Sequence, residues 1–201
     1  MDLLSAQTLA VMHELEQQSA KDRTDGTPFF DRLRSVTPEV GQFLQILALA
    51  ANAQTIVECG ASGGYSTLWL ASAARAIGGR VITFEIAPGK VERALHSFAE
   101  AGLAEIIELR QEDALVGLSR FSGSADLVFI DIEKDLYEGL LEPAVRALRL
   151  GGLLVADNLI SSEAKLAGFR EIALSHPELI ALVVPIGLGE LVAVKSTASL
   201  S

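Results

Sequence analysis

Short apolar runs alternate with stretches of helical periodicity along most of the chain. The runs are apolar throughout, which is typical of strands in a parallel sheet that helices cover on both faces. Strands are predicted at 55–59, 81–85, 106–110, 127–131, 153–157, 180–186 and 191–195. Helices are predicted at 3–21, 37–52, 64–77, 88–101, 113–118, 137–148 and 163–175, with Gly151-Gly152 expected to separate the sixth helix from the next strand.

The last two apolar runs are connected differently from the others. Only residues 187–190 separate them, which is too short for a crossover helix and suits a β-hairpin. One of the two strands therefore runs antiparallel to its neighbour. The pattern predicts an α/β fold with a seven-stranded, mostly parallel sheet and a C-terminal antiparallel hairpin.

Length and charge narrow the class of protein. The 201 residues predict a single domain, 1–201, with a helical N-terminal extension at 1–36 and a cofactor-binding core at 37–201. The net charge of −10 makes a nucleic-acid partner or an anionic membrane surface unlikely. No apolar run approaches the roughly 20 residues of a membrane span, and the N-terminus lacks the features of a signal peptide, so a cytoplasmic protein is expected.

Acidic side chains stand at the ends of three predicted strands. Glu58 opens a glycine-rich segment, Asp131 ends the fourth strand, and Asp157-Asn158 end the fifth. Open α/β sheets bind ligands outside the carboxyl ends of their strands. These residues therefore predict a site as well as a fold.

The segment after the first strand suits a ligand that approaches the backbone closely. Gly60, Gly63 and Gly64 remove side chains at the start of the next helix. The dinucleotide pattern Gly-x-Gly-x-x-Gly is absent, since Ser62 and Tyr65 stand at its third and sixth positions, which weakens an NAD hypothesis. A tight turn without a ligand is the alternative.

Two further acids stand at the end of the second predicted strand and after the third. Glu85 is placed where a carboxylate can accept the hydroxyls of an adenosine ribose, and a solvated strand-end acid is the alternative. Asp113 can accept from an adenine amino group or cap the helix that it begins, and the two roles are compatible.

Four sequence elements follow one another along the chain: Glu58-x-Gly60-x-x-x-Gly64-Tyr65-Ser66-Thr67, Glu85, Phe129-Ile130-Asp131-x-x-Lys134-x-x-Tyr137 and Gly151-Gly152-Leu153-Leu154-Val155-Ala156-Asp157-Asn158. In their order and spacing they resemble the cation-dependent O-methyltransferases, which include the caffeoyl-CoA and catechol O-methyltransferases and their small bacterial relatives. The resemblance covers about residues 37–195.

The resemblance implies a Rossmann-like three-layer α/β/α sandwich that binds S-adenosylmethionine. It implies that Glu58 and Ser66 lie near the methionine portion and Glu85 on the ribose. The cofactor-binding residues that it implies are Glu58, Gly60, Ala61, Ser62, Gly64, Ser66, Glu85, Ile86, Asp113, Ala114 and Asp131.

The same resemblance implies a metal site and a general base. Asp131, Asp157 and Asn158 match the residues that hold a divalent cation, usually Mg²⁺, and Lys134 matches the general base, so Asp131 and Lys134 are the implied catalytic residues. Two carboxylates and an amide form a hard oxygen site, which suits Mg²⁺, Mn²⁺ or Ca²⁺. A dication bound by a vicinal diol such as a catechol makes an oxyanion available near neutral pH.

The expected function is therefore methylation of a hydroxyl on a small molecule by a homodimeric enzyme. Methylation of a hydroxylated tRNA base is one alternative, and a non-catalytic S-adenosylmethionine-binding protein is another. Two segments depart from the family. Ile132-Glu133 replaces the common Ala-Asp, and Leu159 to Ser162 lack the aromatic residue of the plant enzymes.

Overall fold

The computed structural model of the protein describes residues 3–197; the outermost residues of the predicted domain, 1–2 and 198–201, lie outside them. The helices are α1 (Ala6–Asp22), α2 (Pro38–Ala50), α3 (Tyr65–Ile77), α4 (Pro88–Glu100), α5 (Ala114–Leu118), α6 (Tyr137–Ala147) and α7 (Glu163–Ser175). The strands are β1 (Thr55–Cys59), β2 (Arg80–Phe84), β3 (Ile107–Arg110), β4 (Ala125–Ile130), β5 (Leu148–Ala156), β6 (Leu179–Val184) and β7 (Glu190–Lys195). Single 3₁₀ turns lie at Phe29–Asp31, Ala104–Ile106 and Lys134–Leu136.

The strands form one sheet in the order β3-β2-β1-β4-β5-β7-β6. The first five strands pair in parallel, while β7 pairs antiparallel with both β5 and β6. The predicted α/β/α sandwich and its C-terminal antiparallel hairpin are therefore confirmed.

Two hydrophobic clusters cover the two faces of the sheet. One lies under α1 to α4 and includes Leu15, Leu44 and Phe98; the other lies under α6 and α7 and includes Leu141 and Phe169. Because α1 contributes side chains to the first cluster, the N-terminal helix packs as part of the core. None of the helices in the described part of the chain is long and apolar enough to cross a lipid bilayer.

The fifth strand differs from its predicted bounds. It begins at Leu148, directly after α6, because Leu148 pairs with Ala125 at the start of β4. The pairing register then shifts between Ala125 and Leu127. The predicted start at residue 153 was wrong, since Gly151 and Gly152 lie inside the strand.

Three predicted acids lie one residue beyond a strand. Glu85 follows β2, Asp131 follows β4 and Asp157 follows β5. The N–H of Asp131 donates to Cys59 O at 3.0 Å, and that of Asp157 donates to Ile130 O at 3.1 Å. These bonds continue the parallel ladder and align the acids at one edge. Glu58 differs because it lies within β1.

Candidate active site

A cavity of about 1020 Å³ opens at the carboxyl ends of the parallel strands. Nearly all of the residues that the sequence predicts to bind the cofactor or a metal, or to act in catalysis, line this cavity. The predicted residues that line it are Gly60, Ala61, Ser62, Ser66, Glu85, Ile86, Asp113, Ala114, Asp131, Lys134, Asp157 and Asn158. Glu58 and Gly64 do not line it.

The turn between β1 and α3 is built for close packing. Gly60 has a φ of +102°, and a Cβ there would lie 2.2 Å from Asp131 O. Gly64 is the N-cap of α3 with a φ of +94°, and a Cβ there would lie 2.5 Å from the Phe98 ring. Any larger residue at either position would displace its neighbours. Gly64 therefore shapes the turn from behind the cavity wall.

Glu85 is held rigidly at the cavity wall. Its Oε1 accepts the N–H groups of Ile86 at 2.8 Å and Ala87 at 2.9 Å, and its Oε2 accepts the N–H of Ser62 at 2.9 Å. Because each carboxylate oxygen has about two lone-pair sites, Oε2 retains one for a ligand hydroxyl. The third bond also connects β2 to the glycine-rich turn.

Asp113 fills one of the two roles that the sequence left open, the cap of α5. Its Oδ1 accepts the N–H groups of Leu115 at 2.8 Å and Val116 at 3.2 Å, so the side chain caps α5. Both cap bonds use the same oxygen. Oδ2 is therefore available to a ligand in the cavity.

Glu58 lies behind the cavity wall and is fully buried. Three hydroxyl groups donate to it: Ser66 at 2.6 Å, Thr67 at 2.5 Å and Thr83 at 2.7 Å. Burial raises the pKa of Glu58, and the three hydroxyl groups partly oppose the shift. Glu58 thus fixes the start of α3 against β1 and β2, while only Ser66 of this group reaches the cavity.

The residues predicted to hold a metal form one cluster. Asn158 Nδ2 lies 3.2 Å from Asp131 Oδ1, and the N–H of Asn158 donates to Asp157 Oδ1 at 2.5 Å. Lys134 Nζ donates to Asp131 Oδ1 and to Ile132 O, both at 3.0 Å. Within residues 3–197, no three His, Cys, Asp or Glu side chains converge as a metal site. The candidate ligand set is therefore two carboxylates and an amide.

Sequence reasoning missed one member of this cluster, Glu190, the first residue of β7. It is fully buried, and none of the described N–H or O–H groups donates to either of its carboxyl oxygens. Its carboxyl group lies beside the carboxyl group of Asp157. A hydrogen bond between two carboxyl groups requires a proton on one of them.

The buried acids raise one another's pKa. Burial, followed by the charge of Asp131, raises the pKa of Asp157 to about 6. Burial, followed by the charge of Asp157, raises the pKa of Glu190 to about 10. Among residues 3–197, Lys134 is the cation beside them, and the strand ends bring these acidic groups together in a desolvated place.

The segment before α2 covers one side of the cavity. Ser62 Oγ donates to Leu33 O at 2.6 Å, and the guanidinium of Arg34 pairs with Glu133. The Arg34 guanidinium also stacks over the ring of Phe29 at 4.7 Å. Glu133, one of the departures from the family pattern, therefore holds the N-terminal segment next to Asp131 and Lys134.

A protein-family model described as O-methyltransferase matches residues 3–167. The chain belongs to this O-methyltransferase family. The match confirms the resemblance seen in the sequence and extends it towards the N-terminus through α1 and the segment over the cavity.

Two curated relatives of this O-methyltransferase family member carry the name catechol O-methyltransferase. The protein from Niastella koreensis is 38% identical over 130 residues, which cover 63% of this chain and 58% of the relative. The protein from Mycobacterium tuberculosis is 38% identical over 134 residues, which cover 66% of this chain and 60% of the relative. The aligned part of the chain thus spans about three-fifths of the length of these relatives.

The solved structures agree with the family assignment over a longer span. The O-methyltransferase from Bacillus cereus, solved in complex with SAH, has a TM-score of 0.79 and 27% identity to this chain. The superposition covers 93% of this chain and 91% of that one.

Proposed function

We propose that the protein is an S-adenosylmethionine-dependent O-methyltransferase that methylates a small molecule with two adjacent hydroxyl groups, assisted by a divalent cation. The observation that carries the proposal is one cavity in which a ribose-type acceptor, Glu85, and a hard-oxygen cluster at Asp131 and Asp157 occur together. A volume of about 1020 Å³ is at the upper end for small-molecule pockets, which accommodates two reactants.

The donor side of the cavity suits S-adenosylmethionine. Glu85 would accept a ribose hydroxyl through Oε2, and Asp113 would accept the adenine amino group through Oδ2. The glycine at position 60 would let the methionine portion approach the backbone. The SAH in the Bacillus cereus relative supports this assignment.

The residues at the end of β4 and β5 fit a hard divalent cation. Burial and the charge of Asp131 raise the pKa of Asp157, and a dication beside its carboxyl group would favour the ionised form. When bound, Mg²⁺ or Mn²⁺ would supply Lewis acidity that favours the ionised form of a diol hydroxyl. Asp131, Asp157 and Asn158 would hold it.

To receive the proton of the acceptor hydroxyl, the Lys134 ammonium would first release a proton to solvent, a step that the charge of a neighbouring dication would favour. Its Nζ is fixed by Asp131, by Ile132 O and by the Tyr137 hydroxyl at 3.2 Å, so it is held beside the cluster. The remaining task of the protein is to align acceptor oxygen, methyl carbon and sulfur, since in-line transfer is sensitive to geometry.

Methyl transfer from radiolabelled S-adenosylmethionine tests this proposal across acceptor classes. With Mg²⁺ present, we expect labelling of catechols, weaker labelling of monophenols, and none of tRNA. Labelling of tRNA alone would replace the small-molecule proposal with the tRNA alternative. Binding of S-adenosylmethionine without transfer to any acceptor would favour the non-catalytic alternative.

A further inference from the structure

Glu190 occupies a cross-strand position next to a proposed metal ligand. In the antiparallel ladder between β5 and β7, Ala156 pairs with Leu191. Asp157 and Glu190 are the next residues beyond this last pair, and their carboxyl groups interact. The chain therefore brings together two acids that are 33 positions apart in sequence.

The two acids differ in their backbone setting. Glu190 is the first residue of β7 and pairs with Val184 of β6. Asp157 lies just beyond β5, where its N–H still donates to Ile130 O, and the next residue, Asn158, has a left-handed backbone with a φ of +75°. Glu190 therefore projects from a strand, whereas Asp157 stands where the chain turns away from the sheet.

Burial of Glu190 without a hydrogen-bond donor is costly unless its carboxyl group meets Asp157. A fully buried polar group without a partner costs about 1–3 kcal/mol. An apolar residue at position 190 would continue the hydrophobic strand at no such cost. The acid at this position thus points to a role that involves its neighbour.

We propose that Glu190 is a positioning residue for the metal site: from strand β7 it hydrogen-bonds to the carboxyl group of Asp157 and orients that carboxyl group towards the cation. The inference rests on the metal-assisted function proposed above. Residues that hydrogen-bond to metal ligands fix the orientation of those ligands and raise the affinity for the metal.

In this arrangement Glu190 acts through Asp157, because its buried carboxyl group lies beside that of Asp157.

Three substitutions in the full chain test this role by Mn²⁺ binding, followed by the electron paramagnetic resonance signal of free Mn²⁺. Glu190→Gln keeps a hydrogen-bond donor of the same length, so its dissociation constant should stay within about 3-fold of the unaltered protein. Glu190→Leu removes the hydrogen bond and should weaken Mn²⁺ binding by about 10–100-fold. Glu190→Asp shortens the reach and serves as the second disruptive variant if the leucine variant does not fold.

Two controls separate a positioning role from a general loss of structure. SAH affinity, measured by calorimetry without metal, should be the same in all three variants and in the unaltered protein. Glu178→Gln changes an acid whose side chain is half exposed, next to the start of β6, and should leave Mn²⁺ binding unchanged.

The possible results are distinct. Unchanged Mn²⁺ affinity in the folded disruptive variants would overturn the role of Glu190, as would an equal loss in the glutamine and leucine variants. Absence of Mn²⁺ binding by the unaltered protein would instead overturn the metal site of the proposed function, and the role of Glu190 with it.

Discussion

Lys134 Nζ lies 3.0 Å from Asp131 Oδ1, so the proposed general base and a proposed metal ligand form an ion pair. Both side chains are largely shielded from solvent. A cation at Asp131 would therefore compete with the positive charge of Lys134. Measurements of kcat and of metal affinity can separate the roles of the two residues.

Lys134→Ala should lower kcat by roughly 10²–10⁴-fold, the usual contribution of a general acid or base. Its Mn²⁺ affinity should be unchanged or tighter, because removal of the amine relieves charge repulsion with the cation. Steady-state methyl transfer and metal binding measure the two effects. Lys21→Ala, on the outer surface of α1, is the matched control with unchanged kcat. Loss of Mn²⁺ binding in Lys134→Ala would contradict the assigned role.

Glu85→Gln should weaken SAH binding by about 10–100-fold, since a hydrogen bond to a charged group contributes about 1.5–3 kcal/mol. The glutamine amide would also place an N–H group next to the three backbone N–H groups that donate to the Glu85 carboxylate in the unaltered protein. Calorimetry gives the affinity, with Glu108→Gln on the exposed side of β3 as the control. An affinity equal to that of the unaltered protein would remove Glu85 from the ribose site.

Glu58→Leu should lower the free energy of unfolding by about 3–5 kcal/mol, because it leaves three buried hydroxyl donors unsatisfied at about 1–3 kcal/mol each. Thr83→Val removes one donor and should cost about 1 kcal/mol. Urea unfolding measures both changes. If Glu58→Leu keeps its stability and loses only SAH affinity, then Glu58 contacts the cofactor directly, as the resemblance implies.

The stability of the metal-free protein should fall as pH rises above neutrality. The pKa of Asp157 rises from 3.8 to about 6 on folding and that of Glu190 from 4.5 to about 10, so between these limits the folded state holds protons that the unfolded chain releases. The contribution of the two protonated acids to the free energy of unfolding is complete below about pH 4. It is lost as the pH rises through 6 for Asp157 and then through 10 for Glu190. The free energy of unfolding is expected to fall by up to about 1.4 kcal/mol per pH unit for each proton.

Urea unfolding in EDTA at pH 5, 7 and 9 measures this slope. Glu190→Gln removes the group with the larger shift and should flatten the dependence above pH 6, whereas Glu178→Gln should retain it. Stability that increases from pH 6 to pH 9 in the unaltered protein would show that the buried acids are ionised at little cost.

The strand-end acids could be predicted from sequence because their position at one edge of the sheet does not depend on the order of the strands. Glu85, Asp131 and Asp157 each follow an apolar run, and all parallel strands present their carboxyl ends at one edge. The same local reasoning placed Gly151 and Gly152 outside β5, since it could not foresee the pairing of Leu148 with Ala125.

Residues that depend on long-range register were not predictable. Glu190 is predicted as part of a hairpin connection, and only the pairing of β5 with β7 brings it next to Asp157. The pairing of Arg34 with Glu133 likewise joins segments 99 positions apart. Glu58 carries no local signal that it is buried, because its three hydroxyl partners come from α3 and β2.

A measurement of mass in solution tests the predicted homodimer.

The central claim concerns one cavity in which methyl donor and metal-bound acceptor meet. It is tested most directly by the rate of methyl transfer to a catechol as a function of Mg²⁺, in the unaltered protein and in Asp157→Ala.

We expect transfer by the unaltered protein to cease in excess EDTA and to return when Mg²⁺ exceeds the chelator, while Asp157→Ala stays inactive at every Mg²⁺ concentration that restores the unaltered protein. Undiminished transfer in EDTA, or full activity of Asp157→Ala, would contradict the account.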